Sequence, residues 1–160
     1  MSQKHPVINY IVAYLLWIVS TGLGILVLNM VRETILLWMV VSSSLGEPTA
    51  SEIFYANLRA TAVQNWSLFL IGILVLILLV GIENFYRISV TIGKLTRHFF
   101  LVTWIEFVLL FIAHSSYYAL LQTFRPAAWT SFVLPSGEFL LAALFFWLYR
   151  RQLKKVPATA

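Results

Sequence analysis

The chain has 160 residues, 61% of them hydrophobic and 11% charged, with a formal net charge of +5. A soluble domain of this size carries roughly 25% charged residues, so a soluble enzyme, a disordered chain and a nucleic-acid-binding domain are excluded as main readings. The chain has no Cys and no Asp, which removes disulfides, thiolate metal sites, thiol nucleophiles and the paired aspartates of a membrane aspartyl peptidase.

A membrane-crossing helix needs about 20 mostly apolar residues, and four segments meet that length. The first runs from about Val7 to Met30. It is too long for the apolar region of a signal peptide and has no small-residue cleavage site after it, so it is expected to be retained. Ser20 and Gly24 on this segment form a small-residue pair at helical spacing, suited to close helix approach.

An outer loop follows, residues 31–65. Its apolar stretch Ile35 to Val40 either continues helix 1 or lies in the interface, and Ser42 to Pro48 is a break. Thr49-Ala50-Ser51-Glu52 reads as a capping box. Ile53, Phe54, Asn57, Leu58 and Thr61 then share one helical face. These features predict an amphipathic helix lying on the outer surface between helices 1 and 2.

The second crossing is expected at residues 66–86 and ends in Glu83 and Asn84. Glu83 and Arg87 are four apart and suited to pair on one helix face. A short basic loop follows, and the third crossing spans about Phe99 to Gln122. The fourth runs from about Ala127 to Tyr149, interrupted by Pro135-Ser136-Gly137, and a basic tail covers 150–160. The whole is one membrane domain, an all-α bundle of four membrane helices. No internal repeat points to the larger inverted-repeat transporters.

Basic residues set the expected orientation. Lys4, Arg87, Lys94, Arg97, Arg150, Arg151, Lys154 and Lys155 fall on one side, and Arg32, Arg59 and Arg125 on the other. The richer side is expected to be cytoplasmic, with both termini inside. Trp38, Trp66 and Trp129 fall near the outer boundary, and Tyr10, Trp147 and Tyr149 near the inner one. Aromatic residues favour that headgroup depth.

An ionisable group inside hydrocarbon is costly and marks a candidate site. Here these are Glu106 and His114 in helix 3 and Glu138 in helix 4. At 1.5 Å per residue, His114 and Glu138 lie roughly 12 and 16 Å below the outer ends of their helices. A hydrogen bond between them is therefore open, either as a clasp between helices or as a proton-accepting pair on a polar path. A competing reading starts a broken helix at Ser136, with Glu138 in its first turn. Glu106 is within reach of snorkelling Arg87, Lys94 or Arg97. A lone His114 also admits a haem or chlorophyll ligand, although His5 and His98 lie at the opposite edge. No zinc motif, P-loop or nucleophile elbow is present, so no metal and no catalytic residue is expected.

Helix 2 closes with Gly81-Ile82-Glu83-Asn84-Phe85. This resembles the G-Y-E-N-F stretch ending the second helix of the YqhA-like family, small uncharacterised bacterial inner-membrane proteins. Met30-Val31-Arg32-Glu33 and Ala113-His114-Ser115-Ser116 are similar to further stretches of that family. The chain departs at Ile82, where the family has Tyr, and at Tyr86-Arg87, where Val-Ser is usual. The resemblance implies a four-helix architecture in the bacterial inner membrane and a role for Glu83 and Asn84 beyond ending helix 2. It implies no established activity.

The expected function is that of a non-catalytic accessory or scaffold subunit, packing against other membrane subunits or itself in the lipid bilayer. A small oligomeric channel or transporter using His114, Glu138 and Glu106 is the alternative, and a pigment- or haem-holding subunit the third.

Overall fold

The computed structural model describes residues 6–43, 50–122 and 130–154. They form four helices: α1 (Pro6–Ser43), α2 (Ala50–Thr91), α3 (Leu95–Leu121) and α4 (Thr130–Leu153). All four are long and apolar enough to cross a membrane. His5, Lys4, Arg125, Trp129, Thr49 of the expected capping box, the break at Ser44 to Pro48 and the tail from Lys155 lie outside the described residues.

Helices α1 and α2 extend beyond their most apolar stretches. Pro6 opens α1, where its missing N–H would be unbonded anyway. No glycine or proline interrupts the chain from Ile25 to Leu45, so α1 continues through Arg32-Glu33-Thr34 to Ser43. Arg32, expected in the outer loop, is therefore a helix residue. Likewise α2 begins at Ala50 and runs unbroken to Thr91. The segment expected as a distinct surface helix is the first turns of α2 itself. At 1.5 Å per residue, α1 and α2 are about 57 and 63 Å long, against about 40 and 36 Å for α3 and α4.

The α2–α3 corner is a glycine-terminated helix end. Gly93 has φ +68°. The Gly93 N–H donates to the Val90 carbonyl at 3.1 Å and the Lys94 N–H to the Ser89 carbonyl at 3.0 Å. This is the Schellman arrangement, which satisfies carbonyls left free by the last helical turn.

Packing is not sequential. In space the helices form a row, α2–α1–α3–α4, with α2 meeting α3 only slightly and α4 touching neither α1 nor α2 among the described residues. Ring pairs join α3 to α4: Phe107 with Phe145 (centroids 5.6 Å), Phe111 with Phe139 (5.5 Å) and Trp104 with Phe146 (5.2 Å). Aromatic pairs at such separations add to the attraction of simple contact. The α1–α2 seam is set by Gly24, whose ideal Cβ would fall 2.7 Å from Leu78 Cδ1. Ala13, Tyr86 and Val90 form a buried cluster at the end of the bundle where α1, α2 and α3 meet, flanked by Trp17, Leu95 and Phe99.

The expected break in helix 4 is absent. Pro135 lies inside a continuous α4 that begins at Thr130, so Ser136 is not a helix start. The proline removes the donor that would meet the Ser131 carbonyl, but the helix tolerates this near its beginning.

Candidate functional site

Antiparallel α3 and α4 place His114 opposite Glu138. His114 Nδ1 lies 2.6 Å from Glu138 Oε1, with both side chains largely buried. The approach is close but off the ring N–H axis, and Glu138 Oε2 is buried with no partner of its own. His114 is also stacked against Tyr118 one helical turn along (centroids 6.3 Å). A polar contact between two facing helices can clasp them, and a buried carboxyl oxygen left over can take a proton or a water.

Glu106 is 6% exposed and is not joined to the pair by any hydrogen bond or ion pair. It lies eight residues from His114, about 12 Å along α3. The expected basic partners do not reach it: Glu106 Oε2 has no partner, and neither does the buried Nε of Arg97. It belongs instead to a second buried polar group at the junction of α1, α2 and α3. There the Ser20 hydroxyl and the Tyr86 hydroxyl share a hydrogen bond of 2.7 Å. Thr21 Oγ1 and Thr103 Oγ1 are buried beside this level without partners. The Trp17 indole N–H donates to the Leu79 carbonyl at 3.1 Å on the same seam.

Glu83 and Asn84 stand in different surroundings. Glu83 stands 3.9 Å from Arg87 on α2 and lines a small recess with Tyr10, Tyr14 and Trp17, whereas Asn84 is exposed. At the adjoining corner, the Ser89 hydroxyl donates to the Phe85 carbonyl at 2.6 Å. With its hydrogen so placed, it accepts from Nδ1 of His98, also at 2.6 Å. Phe85 stacks on the His98 ring at 4.9 Å, so His98 is a corner residue. It lies 16 residues from His114, about 24 Å along α3, and the two imidazoles do not fit one bis-histidine haem.

Two constellations have no counterpart in the sequence reading. One is the Ser20–Tyr86 bond. The other centres on Arg32 of α1, whose Nε donates to Ser67 Oγ at 3.0 Å and whose Nη1 donates to Glu33 Oε1 at 2.6 Å. Two residues after Arg32, Thr34 offers its hydroxyl to the Met30 carbonyl at 2.8 Å and to the Ala113 carbonyl at 3.2 Å. That contact sets the parallel register of α1 and α3 and puts Arg32 level with Phe111. A guanidinium on an apolar helix beside a serine of the neighbouring helix was the available signal.

No family model, curated protein or solved structure matches the chain.

Proposed function

We propose that the chain is a non-catalytic membrane-spanning protein that serves as an accessory or scaffold subunit of a larger membrane assembly. One observation carries this: α2 is a membrane-length helix seated chiefly on α1, while Leu68, Phe69, Ile73, Leu76, Ile77 and Val80 stand exposed. Water does not tolerate such a surface, and a bilayer or a further apolar helix covers it. The membrane is the bacterial inner membrane, with both termini cytoplasmic by the distribution of basic residues. The G-I-E-N-F resemblance supports the same architecture and adds no activity.

The test is extraction from the native membrane in mild detergent, followed by native mass and an absorption spectrum of the same peak. A hetero-assembly well above the 18.3 kDa chain is expected, and an isolated monomer would overturn the subunit reading. A specific observation favours the channel or transporter reading as second: Glu138 Oε2 and Glu106 Oε2 are both buried and unpartnered. That reading requires Glu138→Gln to change ion flux in liposomes at unchanged folding. A coloured peak would transfer attention to a pigment at His114.

A further inference from the structure

The groove between α1 and α2 changes character along its length. Its lower part, a cleft of about 180 Å³, is lined by Leu28, Ile35, Leu70, Ile71 and Leu74 together with Arg32 and Ser67. Its upper part, about 470 Å³, continues past the shared Leu36 toward the α1–α2 connection and is lined by Trp38, Ser42, Arg59 and Gln64. An apolar wall below that carries Arg32, and above it a mixed wall in which Ser42, Arg59 and Gln64 stand among Met39, Val40 and Ala60, match a molecule with one oily end and one charged end.

The charges select its sign. Arg32 uses Nε on Ser67 and Nη1 on Glu33, leaving Nη2 without a partner among the described residues. Its side chain is only 11% exposed, so the remaining donor faces a restricted, largely apolar space. Arg59 is exposed and unpaired among the described residues. It lies eight residues from Ser67, about 12 Å farther up α2. Long arginine side chains span such a gap, and guanidinium groups suit phosphate oxygens. Among the described side chains, Glu33 is the one acidic neighbour of Arg32 there, and it is already engaged.

We propose that this groove holds one anionic phospholipid of the leaflet facing the α1–α2 connection. Its phosphate sits between Arg59 and Arg32, and one acyl chain lies along Leu70, Ile71 and Leu74. This rests on the chain spanning a bilayer. It would hold for a subunit and for a transporter alike.

The full chain is tested in two steps. Alkaline carbonate extraction of native membranes first reads integration, and release of the chain would overturn the spanning reading and the proposal together. The chain is then reconstituted into nanodiscs of phosphatidylcholine with a minor share of phosphatidylglycerol, and retained lipid is read by native mass. One phosphatidylglycerol per chain is expected to survive stripping. Arg59→Gln removes the upper charge from an exposed position, and Ile71→Trp fills the cleft; each is expected to lower retention about tenfold. Leu76→Trp, on the open face of α2, should leave retention unchanged. Equal retention of the two lipids, undiminished phosphatidylglycerol in both folded variants, or a second copy of the chain in place of lipid would overturn the proposal while leaving integration intact.

Discussion

The His114–Glu138 contact is the residue pair whose loss is simplest to interpret. Interhelical polar contacts in bilayers contribute on the order of 1 kcal/mol, because the separated helices find other partners. His114→Ala and Glu138→Ala should each lower stability by about that amount in an SDS-unfolding titration. The double variant should fall short of the sum, since both remove one contact; strict additivity would show the 2.6 Å approach to be without energetic weight. That these two residues can meet was legible in the sequence, because consecutive helices run antiparallel and similar depths face each other. The Ser20–Tyr86 bond and the Arg32–Ser67 bond were not legible. Hydropathy fixes depth, but in segments apolar on every side it does not fix which way a helix is turned. The same ambiguity misplaced partners for Glu106, whose facing was not given by spacing.

Among the elements, the corner and the α1–α2 seam make opposite demands on glycine. Gly93 needs its positive φ, yet a Cβ there would meet nothing within 4 Å. Gly93→Ala should therefore cost about 1 kcal/mol for backbone conformation alone, and Gly93→Asn less, in the same titration. Gly24 has ordinary helical backbone and no room. Gly24→Ala meets the mobile end of Leu78 and should be nearly neutral, whereas Gly24→Phe should cost roughly 1–3 kcal/mol by forcing α1 from α2. Equal effects of the two Gly24 substitutions would contradict the close seam. Four helices were legible as apolar runs, but their ends were not. Apolar runs report where a helix would meet lipid, and α1 and α2 simply continue through polar residues, none of which is a proline that would stop them.

For the molecule as a whole, the absence of cysteine makes topology directly measurable. Ser42→Cys and Lys154→Cys sit at opposite ends of the bundle, at exposed positions. Membrane-impermeant maleimide should label the first from outside intact cells and the second only after permeabilisation; the reverse pattern would invert the proposed orientation. The row order has a further consequence, and it concerns time. The long side of α1 rests on α3, a helix made only after its other neighbour α2 is complete. Ser20 can meet Tyr86 as soon as α2 is in place. The face of α1 destined for Thr103 and Glu106 must wait until α3 is complete, about 30 further residues of synthesis or roughly 1.5–6 s at ordinary elongation rates. Through that interval Thr21 stands beside lipid or beside the insertion machinery, and the chain is a half-built row with an open polar edge. Its biogenesis is thus exposed to delay at α3 in a way that a bundle of consecutive hairpins would not be.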